Sequence, residues 1–165
     1  MIKIGSFSKT LSASVRCGYI ATRADWIEAL VDLGVATSFG SVSPLAAELV
    51  RATLGDGSYR RHLASLRDRL ARARHEGASR LEAAGFTPWL MPRGGFFLWC
   101  RLPDGADSAT LARAALAEGV VLAPGNVFSA SQTAGGFMRF NVAQMSDPRL
   151  FPVLERALAA APTAA

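Results

Sequence analysis

Ser6, Phe7, Ser8 and Lys9, followed by Arg16 beyond a Thr/Ser-rich bend, are the residues whose types and spacing best suit covalent chemistry. Lys9 is one of only two lysines, the other being Lys3, in a chain rich in arginine. A lysine amine loses its proton when desolvated or set beside another cation, and it then attacks a carbonyl to form a Schiff base. Arginine stays charged, and Arg16 instead offers a planar fork of donors that matches phosphate oxygens. Ser6 and Ser8 are small, so their hydroxyls and backbone leave room for an anion. Together the set suits an aldehyde that carries a phosphate. A solvated lysine beside a turn is the plainer alternative for a serine-flanked lysine taken alone.

A second candidate is Arg139. It stands in an apolar run with Met138, Phe140 and Val142. Strand alternation puts Arg139 and Asn141 on the face opposite those three. An arginine there reaches solvent, joins a structural ion pair or binds an anion. His62 and His75 fall on an arginine-rich helix and read as exposed. Cys17 and Cys100 have no metal-ligand spacing and no disulfide framework, so no metal site is expected. Trp26, Trp89 and Trp99 read as packing residues, as does Tyr19.

The elements that must position these residues follow from periodicity and punctuation. Residues 1–6 read as a strand ending at the lysine segment, and 17–22 as a second strand. A helix is predicted over 25–33, then a polar, glycine-bearing loop over 37–43. Pro44 suits the first turn of a helix running to about Leu54, and Gly55 to Gly57 break it. Ser58 reads as the cap of a long helix reaching about Ala84, roughly 40 Å at ~1.5 Å per residue, with Gly85 ending it. Strands are predicted over 86–90, 96–102, 120–122 and 137–143. Ser108 reads as the cap of a helix to Glu118, and Ser146 or Asp147 as the cap of one running to about Ala160. The alanine-rich end, 161–165, reads as frayed.

The net charge is +5 and the pI about 10. Much of the positive charge lies between Arg60 and Arg80, where Leu63, Leu66, Leu70 and Ala73 recur at helical spacing. The arginines therefore read as the solvated face of a helix, not as a nucleic-acid-binding stripe. No aromatic side chains interleave with them, which argues against a single-strand stacking platform. No apolar run approaches the ~20 residues a membrane helix needs. The cysteine usage and the absence of a signal-peptide core point to a reduced cytoplasm. At 165 residues the chain can hold one domain or parts of two.

Four segments in order carry a family resemblance. Ser6-Phe7-Ser8-Lys9-Thr10-Leu11 with Arg16-Cys17-Gly18-Tyr19 resembles the cofactor-lysine segment of class I/II aminotransferases, fold-type I enzymes that use pyridoxal 5'-phosphate (PLP). Pro92-Arg93-Gly94-Gly95-Phe96-Phe97-Leu98-Trp99 resembles their glycine-led small-domain strand, and the segment from Gly119 through Pro124-Gly125-Asn126 to Phe128 their Pro-Gly loop. Met138-Arg139-Phe140-Asn141-Val142-Ala143 resembles the strand bearing the substrate-carboxylate arginine. The wording around Lys9 is similar to the aminotransferase-like domain of MocR-type regulators of the GntR class. The resemblance implies an α/β fold. Residues 1–57 would be the C-terminal part of the PLP-binding large domain, with a remnant of its sheet. Residues 58–165 would be a long linking helix and a small α+β domain of mostly antiparallel strands with flanking helices. It also implies amino-group transfer between an amino acid and a 2-oxo acid in a homodimer. Lys9 would carry PLP and act as base and acid, Ser6, Ser8 and Arg16 would hold its phosphate, and Arg139 would clamp the substrate carboxylate.

The family pattern also places a further half ahead of the lysine, with the acidic partner of the pyridine nitrogen and a ring-stacking aromatic. No residue of this sequence matches those parts. The isolated chain is therefore expected to bind PLP weakly or not at all, and not to turn over. The alternatives are a domain that senses PLP or an amino compound in a MocR-like regulator, and a structural fragment that binds nothing. Residues from about 58 onward are expected to form the stabler unit. The sheet edge in the first 54 is expected to leave them disordered, rearranged or paired between chains.

Overall fold

The computed structural model describes residues 1–37, 42–103 and 105–160. Most of the expected 37–43 loop and the 161–165 end lie outside the described residues. Strands are Lys3–Ser6 (β1), Gly18–Ala21 (β2), Thr87–Pro88 (β3), Phe97–Arg101 (β4), Ala123–Pro124 (β5) and Phe137–Asn141 (β6). Helices are Ala24–Thr37 (α1), Pro44–Gly55 (α2), Ser58–Ala83 (α3), Ser108–Ala117 (α4) and Leu150–Ala160 (α5). The fold is mixed α/β, and every described strand pairing is antiparallel. Two compact units divide inside α3, one through Leu66 and one from Arg67 onward.

In the first unit β1 pairs with β2, Lys3 opposite Ala21 and Ser6 opposite Gly18. Each of the two strands keeps one edge that no described strand pairs. Pro44 opens α2, where its missing N–H and fixed φ cost nothing. Among the described residues of this unit, Phe7 and Val50 are the buried apolar side chains, while Ile4, Val31, Leu33, Leu45 and Leu49 are all more than half exposed.

The second unit carries the core. Its sheet has the order β3-β4-β6-β5. Alternation turns Leu98 and Cys100 of β4 and Met138 and Phe140 of β6 to one face. There they pack with Ala78 and Leu81 of α3, Leu111 of α4, and Phe151, Leu154 and Ala157 of α5. Each buried Leu, Met or Phe side chain contributes about 1.5–3 kcal/mol by leaving water.

Gly85 ends α3 as expected. At φ +87 it lets the Phe86 N–H reach the Leu81 carbonyl at 2.9 Å while its own N–H bonds that of Glu82. The expected strands at 86–90 and 120–122 shorten to β3 and shift to β5. Ser108 is not a cap. Asp107 caps α4, accepting from the Thr110 N–H at 2.8 Å. Ser108 is fully buried, and its Oγ accepts the Gly125 N–H at 3.3 Å. Ser58 is likewise the first helical residue of α3, and the Asp56 carboxylate accepts its N–H at 2.8 Å.

The arginines of α3 do not all form a solvated face. Arg74 is buried and donates to the Gly95 carbonyl at 2.7 Å. Arg80 donates to the Met145 carbonyl at 3.3 Å and lies 3.8 Å over the Phe151 ring. Both use their stems to cover apolar surface while the head finds an acceptor or a ring.

Candidate functional site

Lys9 lies in the loop that joins β1 to β2. The ladder closes the loop at its base, and the Phe7 N–H extends the closure by donating to the Cys17 carbonyl at 2.9 Å. Inside it, the Phe7 carbonyl gathers the N–H groups of Thr10, Leu11 and Ser12 at 3.2, 2.8 and 3.3 Å. The turn bearing Lys9 is therefore wound around one oxygen. Phe7 anchors it, buried between Tyr19 and Tyr59 with ring centres 5.6 and 5.7 Å away. Ser6 accepts the Ser8 N–H at 3.2 Å through its Oγ. Lys9, Ser6 and Arg16 are exposed, and Ser8 is half-buried.

Arg16 departs from ordinary backbone. Its φ of 45° is left-handed and follows a short 3-10 turn, Ala13–Val15, capped by the Ser12 side chain. A side chain there costs roughly 1 kcal/mol or more, and such strain gathers at functional sites. One amine, two hydroxyls and one guanidinium thus lie on or beside the same short loop.

Two residues that the sequence reading missed support this loop from α3. Tyr59 Oη lies 2.7 Å from Thr10 Oγ1. His62 is half-buried, not exposed, and its Nε2 is 2.9 Å from the Thr10 carbonyl oxygen. No local pattern marks them, because both partners lie about fifty residues away.

Arg139 belongs to the second unit, on the sheet face opposite the core. It is paired in register with Trp99 on one side and Ala123 on the other. Its guanidinium carbon lies 4.1 Å from the Phe97 ring centre and 3.9 Å from that of Phe128. Its Nε is buried and has no hydrogen-bond partner. An orphaned donor of this kind costs about 1–3 kcal/mol until something accepts from it. Trp99 stacks on Phe137 and meets Phe128 edge-on, so the tryptophan is a packing residue that backs this face.

A cleft of about 1000 Å³ opens at Arg139, lined by Phe97, Asn141, Gln144, Ser146, Asp147 and Arg149 among others. The Arg149 guanidinium beside Asp147 holds that carboxyl down to about 2, so the pair is charged at neutral pH. Gly125 shapes the adjoining loop. A Cβ on it would meet the Ala134 carbonyl at 2.2 Å, so only glycine fits. Asn126 is spent on the loop itself, its Oδ1 accepting the Ala134 N–H at 2.9 Å. Cys100 is buried and its thiol is pushed up to about 12, which makes it inert. Among the described residues no group of three or more His, Cys, Asp or Glu is placed to hold a metal. No described helix is long and apolar enough to cross a membrane.

The chain is 31% identical over 148 residues to an uncharacterised HTH-type transcriptional regulator, YdfD, of Bacillus subtilis, covering 88% of this chain and 30% of that protein. It is 28% identical over 167 residues to aromatic-amino-acid aminotransferase 1 of Thermococcus litoralis, covering 94% of this chain and 38% of that protein. Among solved structures, LysN, the α-aminoadipate aminotransferase of Thermus thermophilus complexed with N-(5'-phosphopyridoxyl)-L-leucine, superposes with a TM-score of 0.69 at 27% identity. That match covers 97% of this chain and 43% of LysN. The chain thus spans about a third of the length of the curated relatives it matches. The model of aminotransferase class I and II matches residues 1–156, and the chain belongs to that family.

Proposed function

We propose that this chain is the lysine-bearing portion of a PLP-dependent aminotransferase, which moves an amino group between an amino acid and a 2-oxo acid. The observation that carries the reading is the closed β1–β2 loop that presents Lys9 with Ser6, Ser8 and Arg16. On this reading residues 1–57 are the C-terminal part of the cofactor-binding large domain, and 58–165 are the long helix and small domain. The working form is a homodimer in the cytoplasm.

PLP, when bound, supplies an aldehyde for an amine and a ring that accepts the electron pair released at the substrate Cα. The Lys9 amine is the point of attachment. Displaced by the substrate amine, its freed Nζ would take the proton from the substrate Cα and deliver it to the other end of the 1,3-shift. Ser6 Oγ and the Arg16 guanidinium bind the phosphate oxygens, with the Ser8 hydroxyl beside them. Arg139 binds the α-carboxylate and fixes the direction of the Cα–H bond, so positioning lowers the barrier. Its unpartnered Nε supports this role, since an incoming carboxylate gives the guanidinium the acceptor it lacks.

The chain's two lysines make the test internal. Exposure to limiting PLP, then borohydride, should modify Lys9 several-fold more than Lys3 in peptide mass maps, even at low affinity. Arg16→Met and Ser6→Ala should erase the preference. Equal modification of both lysines overturns the reading and favours a fragment that binds nothing.

The identity to an HTH-type regulator supports a second reading, in which the same residues sense PLP or an amino compound. Formation of a 2-oxo acid from an amino acid by the intact protein that carries this portion, loaded with PLP, separates the two.

A further inference from the structure

We propose that Tyr59 and His62, on the first turns of α3, are positioning residues for Lys9, acting as a latch on the neighbouring Thr10. The proposal rests on the reading of Lys9 given above. Thr10 is held at two points, its hydroxyl by Tyr59 Oη at 2.7 Å and its carbonyl by His62 Nε2 at 2.9 Å. A carbonyl oxygen only accepts, so His62 donates and its Nε2 carries the proton. Tyr59 and His62 are three apart on the helix and so share one face. The Tyr59 ring also meets Phe7 edge-on, and the Phe7 carbonyl is the oxygen around which the lysine turn is wound.

The turn is thus fixed from within by Phe7 and from outside by α3. A lysine stem has four rotatable bonds and loses about 2 kcal/mol of rotamer freedom when it is ordered. A base that shifts adds positional error at the amine, and a misplacement of about 1 Å costs on the order of a hundredfold in rate. The Thr10 latch limits that error without touching the reacting atoms.

The test uses the full chain with Tyr59→Phe, His62→Leu, the double variant, and His62→Gln, which keeps a side-chain donor. Reductive methylation with ¹³C-formaldehyde gives one dimethylamine resonance for each lysine and needs no cofactor. In the double variant the Lys9 resonance should move toward that of Lys3, with helix content by circular dichroism unchanged. The Lys9-to-Lys3 ratio of PLP–borohydride modification should fall several-fold, toward one, and His62→Gln should recover most of what His62→Leu loses. An unchanged Lys9 resonance overturns the proposal. So does an unchanged modification ratio where the parent chain favours Lys9. A parent chain that modifies both lysines equally, with the resonance still moving in the double variant, leaves the latch standing and removes the cofactor role of Lys9.

Discussion

The Arg139 guanidinium lies over the Phe128 ring, its carbon 3.9 Å from the ring centre. Phe97 meets the guanidinium from 4.1 Å. The Arg139 head is therefore held against two rings before any ligand arrives. Each contact of this kind is worth about 0.5–2 kcal/mol, more when it is dry. Phe128→Leu should weaken binding of a carboxylate probe such as acetate by roughly threefold to thirtyfold, on the scale of about 1.4 kcal/mol per factor of ten. Titration of the Arg139 Nε–H resonance checks this. The resonance should also lose the part of its ring-current shift that Phe128 imposes.

Gly125→Ala should destabilise the second unit. The added Cβ meets the Ala134 carbonyl at 2.2 Å and the Phe137 carbonyl at 2.7 Å, and neither is a movable side-chain end. Overpacking of this kind costs typically about 1–3 kcal/mol. Thermal melting should drop by roughly 4–8 °C per kcal/mol for a unit of this size. A melting point within a degree of the parent chain contradicts the close approach.

Asp107→Ala should cost about 1 kcal/mol through loss of the α4 cap. The cost should depend on pH. The Thr110 N–H holds the Asp107 carboxyl below its ordinary range, and the Thr110 hydroxyl adds to this. A carboxyl with a lowered folded-state value stabilises above its unfolded value of about 3.9, and that stability is lost as pH falls through the folded value. Denaturant melts of the parent and variant should differ at pH 7 and converge below pH 3.

Hydrogen exchange should divide the chain. Leu98, Cys100, Met138 and Phe140 are wholly or almost wholly buried in the shared cluster of the second unit. The β1–β2 ladder carries Ile4, Tyr19 and Ile20, which are 77%, 41% and 46% exposed. Few buried apolar contacts mean cheap local opening. Amides of β4 and β6 should exchange at least a hundredfold more slowly than those of β1 and β2. Strong protection over Ile2 to Ile20 in a monomer contradicts this.

Local punctuation was legible in the sequence. Pro44 opens α2, Gly85 ends α3, and β6 alternates as its apolar residues require. Each of these is decided by φ or by a two-residue period, which the chain carries within a few positions. The Lys9 segment was likewise visible, because Ser6, Ser8, Lys9 and Arg16 are neighbours. What escaped were contacts with distant partners. Nothing near His62 says that it meets Thr10, and nothing near Arg74 says that it meets Gly95. Ser108 shows the same limit. It has the composition of a cap and stands one residue past the real one, because Gly125 needs its hydroxyl.

The Thr10 latch also has a consequence for the order in which the molecule is made. The β1–β2 ladder joins residues close in the chain, a step of microseconds for a hairpin. The two hydrogen bonds from α3 close separations of 49 and 52 residues. Closure entropy grows with the logarithm of that length, so these bonds form only after the intervening helices have shortened the path. A chain emerging from the ribosome therefore makes its lysine turn early and aims it late, when the residues near sixty arrive.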